Sequence, residues 1–171
     1  MEWKQPPENS VSALSQGMNT FDGVEMDLRL SKDGAVVIHH DRSPSVEQEN
    51  KAHLPRWVED CTLDEMLELG FSSFEDLLEN RSFMRRWLDE AAFACLELKV
   101  PHPTSEAAGG WFRSGRRSQH LKRLLETSIK MIEAAGVDSN NTVFYAFHND
   151  ISTINQQLGG SWNAVSLRPV V

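Results

Sequence analysis

Short strand-like runs alternate with longer helical patterns along this chain of 171 residues. That order favours an α/β fold in which helices cover a parallel sheet. The runs predicted to be strands are residues 23–30, 35–39, 94–100, 142–148 and 164–171. The first predicted helix starts at Ser10, a suitable N-cap, and further helices are predicted over residues 63–69, 74–79, 83–91 and 118–135. The whole chain, residues 1–171, is interpreted as a single domain.

The charge and composition of the chain restrict its partners. Its net charge is −8, so nucleic-acid backbones and anionic membranes are not favoured, and an anionic substrate requires a locally bound cation. No apolar run approaches the roughly 20 residues that span a bilayer, so no stable membrane insertion is expected. If Met1 is the true start, the polar residues 1–10 are no signal peptide and the protein is expected in the cytoplasm. Cys61 and Cys95 fit no zinc-binding spacing and are expected to be small buried side chains.

Two carboxylates in the first predicted strand are candidate metal ligands. Strict alternation over residues 23–30 places Glu25 and Asp27 on one face of the strand, together with Arg29. Two like charges inside a helix-covered sheet repel each other, and a bound cation removes that repulsion. Oxygen ligands suit hard ions such as Mg²⁺ or Ca²⁺. The same alternation also fits a solvent-facing edge strand in which a carboxylate pairs with Arg29.

A later strand repeats this geometry. Glu97 and Lys99 are two residues apart, so their side chains lie on one face of the predicted strand. In a metal cluster Glu97 is the third carboxylate, and the Lys99 ammonium holds a phosphate oxygen as a point charge. The alternative is an ordinary Glu–Lys pair on the surface of a strand.

Histidines at strand ends are candidates for proton transfer. His40 follows a predicted strand, where parallel-sheet enzymes carry active residues, and histidine titrates near neutral pH. His39 projects to the opposite face, so only one of the two can serve. Asp41 either orients His40 or caps the next turn. His148 also ends a predicted strand, and a structural role is the alternative for each of these histidines.

Several segments, in their order along the chain, resemble the glycerophosphodiester phosphodiesterase family. They are Pro7-Glu8-Asn9-Ser10, the strand and turn of residues 23–34, Val36-Val37-Ile38-His39-His40-Asp41, and Leu96-Glu97-Leu98-Lys99. Thr62-Leu63-Asp64-Glu65 also resembles the family's Thr-Leu-x-Glu segment before a helix. Each motif alone is weak, but their order and spacing together are specific.

The resemblance implies a fold, a reaction and roles for particular residues. The family fold is a TIM (β/α)8 barrel, and its reaction is hydrolysis of a glycerophosphodiester to an alcohol and glycerol 3-phosphate. Glu25, Asp27 and Glu97 match carboxylates that bind a divalent cation, Mg²⁺ or Ca²⁺. His40 matches one of two catalytic histidines, and Lys99 matches a residue near the substrate phosphate. The implied partner is a small-molecule glycerophosphodiester.

The chain departs from the family pattern at both ends. The family carries His-Arg-Gly on its first strand shortly before Pro-Glu-Asn, and Met1-Glu2-Trp3-Lys4-Gln5-Pro6 stands there instead. About five strands are predicted where a closed barrel has eight, in a chain shorter than the ~250 residues typical of that fold. The expectation is an incomplete barrel, truncated at both ends, that lacks its first strand and last units and is weakly active or inactive as it stands.

Two other functions stay open on the sequence alone. One is a non-catalytic module, a pseudoenzyme or gene fragment, whose cation site holds phosphorylated ligands or a protein partner. The other is a related phosphodiesterase that cleaves lysophospholipids or phosphoinositides. Residues 101–117 are predicted to form a solvated loop, with contact to a phosphate or lipid headgroup as the alternative. The pattern favours no particular oligomeric state.

Overall fold

Six strands form one mixed sheet flanked by helices in a computed structural model that describes residues 5–44, 55–89, 92–107 and 114–167. The strands are β1 Gly23–Leu30, β2 Val36–Ile38, β3 Ser72–Ser73, β4 Phe93–Leu98, β5 Thr142–Ala146 and β6 Asn163–Ser166. Their order across the sheet is β3-β2-β1-β4-β5-β6. As predicted for an α/β fold, β1, β4, β5 and β6 run parallel, whereas β2 and β3 pair antiparallel at one side.

A tight hairpin joins β1 to β2. The Asp33-Gly34 pair predicts such a turn, and the structure confirms it, because Gly34 adopts φ +91° and its N–H donates to the Ser31 carbonyl over 3.0 Å. The returning strand ends beside β1, where the His39 N–H donates to the Asp27 carbonyl over 2.9 Å. The hairpin therefore turns at the carboxyl end of β1 and brings the histidine segment back to a position beside Asp27.

The helices of the described residues begin and end at recognisable signals. They are α1 Val11–Thr20, α2 Leu63–Glu68, α3 Phe74–Leu78, α4 Arg81–Asp89, α5 Ser114–Ala134 and α6 Ile151–Gln157, with a 3-10 turn at Val58–Asp60. Ser10 caps α1, as predicted, because its side chain accepts a hydrogen bond from the Ala13 N–H. Thr62 and Glu65 form a capping box on α2. Gly136, at φ +82°, lies just beyond the end of α5, where a glycine in the left-handed region commonly terminates a helix.

The two faces of the sheet differ in what surrounds them. On the covered face, Met26, Leu96 and Phe144 have no exposed surface and join one apolar cluster with residues of α1, α4 and α5. On the open face, the apolar side chains Phe147 and Val165 are 53% and 47% exposed. The candidate functional residues of β1 and β4 all project from the open face.

The predicted elements differ from the observed ones mainly at their ends. The runs at 94–100 and 142–148 become β4 and β5, which end at Leu98 and Ala146. The predicted loop to residue 117 is shorter than expected, because α5 begins at Ser114. The short β3 and the helix α6 were not predicted: β3 has only two residues, and α6 contains only two apolar residues, Ile151 and Ile154. Residues 90, 91 and 168–171 of the predicted helix and strand, and 108–113 of the predicted loop, lie outside the described residues.

The last two expectations concern the cysteines and membrane-spanning helices. Cys61 is buried, as expected, but Cys95 is only partly buried, because it lies on the open face opposite Glu25. Within the described part of the chain, no helix combines the length and apolar character needed to cross a bilayer.

Candidate active site

Three carboxylates converge at one point of the open face. Asp27 lies directly opposite Glu97 in the parallel register of β1 and β4, and Glu25 lies two residues earlier on β1. One oxygen from each side chain lies within 4.8 Å of the others. Asp27 and Glu97 are buried, whereas Glu25 is exposed. The alternative of a surface pair with Arg29 is wrong, because Arg29 forms its ion pair with the buried Glu59.

The ammonium of Lys99 lies between two of these carboxylates. Its Nζ is 2.8 Å from Asp27 Oδ1 and 2.6 Å from Glu97 Oε1. The side chain of Lys99 is only 13% exposed, so the Glu–Lys pair is not the solvated surface pair that the sequence left as an alternative. A charge-assisted contact of this kind is stronger than a neutral hydrogen bond, and screening by solvent is reduced at a buried position.

Tyr145 completes the cluster, and sequence reasoning missed it. Its hydroxyl donates to Glu25 Oε1 over 2.8 Å and also lies 3.2 Å from Glu97 Oε2. Burial and the neighbouring carboxylate of Glu25 raise the pKa of the Tyr145 hydroxyl, so it remains a donor at neutral pH. The available signal was the alternation in β5, which places Tyr145 and Phe147 on one face, but only the register of β4 and β5 sets Tyr145 opposite Glu97.

The charges around Glu25 act in opposite directions. The Glu25 residue is exposed as a whole, but its carboxyl group is partly desolvated by the neighbouring strands, which raises its pKa above the ordinary value, and the hydrogen bond from Tyr145 opposes that rise. The negative charges of Asp27 and Glu97 raise this pKa further, while Lys99 lowers it. Repulsion among the carboxylates therefore persists in the cluster, which is the condition that a bound cation relieves.

Asn9, in the segment before α1, fixes the most enclosed of the carboxylates. Its side-chain amide donates to Asp27 Oδ2 over 2.7 Å, and its side-chain oxygen accepts the Asp27 backbone N–H over 3.1 Å. Asn9 adopts φ +53°, a left-handed conformation that asparagine tolerates better than most residues. The two contacts hold the Asp27 side chain and backbone together against the start of α1.

Arg29 holds the backbone of the histidine segment. Its Nε donates to the His39 carbonyl over 3.2 Å, and its Nη2 donates to the His40 carbonyl over 2.8 Å. The guanidinium is itself buried and paired with Glu59. The position of His40 therefore depends on a residue of β1 that projects from the same face as the carboxylates.

The two neighbouring histidines have different surroundings. His40 is exposed, and its Nδ1 lies 3.0 Å from Asp41 Oδ1, a contact that lowers the pKa of Asp41. His39 packs at 4.3 Å from the ring of Phe71 and contacts the Ser43 carbonyl through Nε2, and burial lowers its pKa. The arrangement leaves Nε2 of His40, rather than the His39 ring, available for a substrate.

A cavity of about 730 Å³ adjoins the cluster. Its lining includes the three predicted residues His40, Glu97 and Lys99, together with Arg42 and Phe147. His148 is absent from that lining; its Nδ1 accepts the Asp150 N–H over 3.2 Å, next to the start of α6. The structure thus brings five predicted residues to one region and assigns His148 a local structural contact.

The donor set of the cluster fits a hard divalent cation. Glu25, Asp27 and Glu97 offer only carboxylate oxygens, the ligand type that Mg²⁺ and Ca²⁺ prefer. Against these three negative charges the cluster contains one positive charge, that of Lys99. The remaining negative charge and the short oxygen separations both favour a cation at this position.

Comparison with known proteins now identifies the family. The model of the glycerophosphoryl diester phosphodiesterase family matches residues 3–145, which include every residue of the cluster. The chain belongs to this family. A curated glycerophosphodiester phosphodiesterase from Caldanaerobacter subterraneus subsp. tengcongensis is 34% identical over 67 residues, which cover 39% of this chain and 26% of that protein.

Solved structures of phosphodiesterases share the fold. A glycerophosphodiester phosphodiesterase from Parabacteroides distasonis matches 99% of the chain with a TM-score of 0.66 and 16% identity, and the match covers 62% of that protein. An Oleispira antarctica phosphodiesterase, solved in complex with the product sn-glycerol-3-phosphate, matches 94% of the chain with a TM-score of 0.62 and 16% identity. The predicted TIM-barrel class is confirmed by these matches, and the chain spans about 60% of the length of both proteins.

Proposed function

We propose that the domain represented by this chain hydrolyses glycerophosphodiesters to an alcohol and glycerol 3-phosphate with the help of a divalent cation. The observation that carries the proposal is the convergence of the three carboxylates with Lys99 beside a cavity that also contains His40. Membership of the phosphodiesterase family supports the class of reaction. The related Oleispira phosphodiesterase, with glycerol 3-phosphate as its product, supports the choice of product.

Glu25, Asp27 and Glu97 are the residues proposed to hold the cation, Mg²⁺ or Ca²⁺. A cation at this position supplies positive charge to the phosphoryl oxygens and orients the attacking group. Tyr145 and Asn9 keep the carboxylates in place, because each donates a hydrogen bond to one of them. Without these donors the carboxylates would lose their fixed orientation toward the cation.

Lys99 and His40 are proposed to act on the substrate. The Lys99 ammonium, on a flexible stem at the edge of the cavity, binds a phosphate oxygen. Nδ1 of His40 donates to the Asp41 carboxylate, which leaves Nε2 to give or take a proton in the cavity. Arg29 positions this ring through its hydrogen bond to the His40 carbonyl.

A non-catalytic binding module is the second candidate. Among the described residues, His40 is the only histidine in the lining of the cavity, whereas hydrolysis in this family is expected to use two. A chain with one such group would bind a cation and a phosphorylated ligand but turn it over slowly. We therefore propose that these 171 residues alone are weakly active.

The test is hydrolysis of a panel of substrates by the chain and by the longest protein encoded in its reading frame. The panel comprises glycerophosphocholine, glycerophosphoethanolamine, glycerophosphoinositol and lysophosphatidylcholine, each with Mg²⁺, with Ca²⁺ and with EDTA. Released glycerol 3-phosphate is measured. Glu97→Gln is the site variant, and Glu68→Gln, at an exposed position on α2, is the matched control.

Cation-dependent release of glycerol 3-phosphate that Glu97→Gln abolishes and Glu68→Gln preserves is the expected result. Release of a lysophosphatidate from lysophosphatidylcholine, without hydrolysis of the glycerophosphodiesters, would replace the proposed substrate class. If the chain and the longer protein both bind the cation but hydrolyse none of the substrates, the non-catalytic binding module replaces the hydrolase as the proposed function.

A further inference from the structure

The position between Asp27 and Glu97 is already occupied by a positive charge of the protein itself. Lys99 Nζ lies 2.8 Å from one carboxylate and 2.6 Å from the other, and the three side chains are at most 13% exposed. The third carboxylate, Glu25, is instead held by the hydroxyl of Tyr145 over 2.8 Å. The cluster is therefore closed by an ammonium on one side and a phenol on the other.

The second oxygen of each carboxylate is engaged as well, since Asp27 Oδ2 accepts from Asn9 and Glu97 Oε2 lies 3.2 Å from the Tyr145 hydroxyl. A divalent cation that binds Asp27 and Glu97 therefore competes for the oxygens that Lys99 contacts. Two positive charges within a few ångström of each other repel strongly at a buried position. We infer that Lys99 is an internal counter-ion of the carboxylate cluster, and that its ammonium becomes available to a phosphate group only when a cation displaces it. This inference rests on the proposed function, because it assigns a cation to the cluster and a phosphate to the cavity.

The geometry allows such a displacement. Lys99 lines the cavity of about 730 Å³ that lies beside the cluster, so open space adjoins its side chain. The lysine stem has four methylene groups and three rotatable donors at its end. Lys99 lies just beyond the end of β4, and its backbone N–H donates to the Leu28 carbonyl over 3.0 Å, so the main chain stays fixed during this movement.

The consequence is a coupling between two ligands. Displacement of Lys99 by a cation raises the affinity of the cavity for phosphate, and by linkage a phosphate that binds Lys99 raises the affinity of the carboxylates for the cation. A phosphate oxygen bound directly to the cation also produces coupling, but without any involvement of Lys99. The two origins differ in the effect of removing the ammonium, which makes them separable.

Binding of sn-glycerol 3-phosphate to the wild-type chain and to Lys99→Met, measured by calorimetry with EDTA and with saturating Mg²⁺, tests the inference. Without Mg²⁺ both proteins should bind glycerol 3-phosphate with equal affinity, because the wild-type ammonium is engaged by the carboxylates. With Mg²⁺ the wild type should bind about tenfold more tightly than the variant, within the usual range of coupling between sites. Lys99→Met should also bind Mg²⁺ about tenfold more tightly when no phosphate is present, for the same reason.

Equal weakening of glycerol 3-phosphate binding by Lys99→Met with and without Mg²⁺ would overturn the inference, since the ammonium would then be free in both states. So would an Mg²⁺ affinity that the substitution leaves unchanged. If neither protein binds Mg²⁺, the proposed function itself fails. If Mg²⁺ binds and supports turnover but the Lys99→Met effects are absent, only the present inference fails.

A second measurement avoids any substitution. Acetic anhydride acetylates free lysine amines, and mass spectrometry of peptides compares Lys99 with the exposed Lys130, whose side chain is 70% accessible. Addition of Mg²⁺ should increase the rate of acetylation of Lys99 severalfold and leave that of Lys130 unchanged. An unchanged or lower rate at Lys99 contradicts its displacement by the cation.

Discussion

The two faces of β1 are built from alternate residues and are stabilised in different ways. Met26 and Leu28 project from the covered face into the apolar cluster and have no exposed surface. Asp27, between them, projects from the open face and is bonded to Asn9 and Lys99. On the covered face any side chain of suitable size and polarity serves, whereas on the open face each charge depends on particular partners. Adjacent residues of β1 therefore differ in role: one stabilises the apolar core, and the next contributes to the candidate binding site.

The largest expected effect lies where the open face is itself buried. Arg29→Met removes the partner of Glu59, whose side chain has no exposed surface, and leaves a buried carboxylate without a counter-ion. We expect the free energy of unfolding to fall by about 3–5 kcal/mol, measured by urea denaturation. This result would show that the part of the open face around Arg29 contributes to the stability of the fold as well as to the site.

The double variant Arg29→Met/Glu59→Gln is the control for this prediction. It removes both charges, so it should recover much of the stability lost in the single variant. Lys130→Met, which breaks an exposed pair with Glu126 on α5, should have little effect on unfolding. A single Arg29→Met change as mild as that of Lys130→Met would contradict the role of the buried pair.

Neighbouring residues of β4 compare the two faces directly. Leu96 is fully buried on the covered face, so Leu96→Ala should lower the free energy of unfolding by about 2–5 kcal/mol. Glu97→Gln, one residue further on the open face, should lower it much less, because Lys99 keeps its contact with Asp27 and repulsion among the carboxylates decreases. Only Glu97→Gln should abolish Mg²⁺ binding. Equal losses of stability, or loss of cation binding in both variants, would contradict the division between the faces.

The difference between the faces also explains what the sequence could predict. Alternation in β1 and β4 was enough to place Glu25, Asp27, Glu97 and Lys99 on common faces, since that pattern is local. The convergence of the two pairs depends on the register of Asp27 with Glu97, which lie 70 positions apart in the chain. Family resemblance indicated this convergence, and local pattern did not.

Other contacts of the site had no local signal. Arg29 pairs with Glu59, which lies thirty residues later in a 3-10 turn whose sequence shows no apolar periodicity. Tyr145 reaches the carboxylates only because β5 lies next to β4 in the sheet. These pairings arise from the order of strands and from loops, which the apolar pattern of single elements does not encode.

A smaller effect is expected from pH at the carboxyl end of β1. His120 of α5 lies near Leu30 in a second cavity, and burial lowers the pKa of its ring to about 4. Because the folded pKa lies below the ordinary value of about 6.5, its contribution to stability is complete above pH 6.5 and is lost as the pH falls toward 4. His120→Gln should make unfolding less dependent on pH, by at most about 2 kcal/mol between pH 7 and pH 5. The free energy of unfolding is measured by urea denaturation at several pH values. If it changes with pH equally in both proteins, the assignment is contradicted, since all other titratable groups are shared.

The smallest expected effect concerns the hydroxyl of Tyr145. Tyr145→Phe removes the donor to Glu25 but keeps the ring, so unfolding should change little while Mg²⁺ affinity falls about tenfold, at the lower end of the effects of residues that orient metal ligands. Calorimetric titration with Mg²⁺ measures this loss. In a Glu25→Gln background the same change should have a much smaller effect, because the hydrogen bond no longer orients a charged ligand. An equal loss in both backgrounds would mean that Tyr145 acts through Glu97, to which its hydroxyl has the longer contact of 3.2 Å.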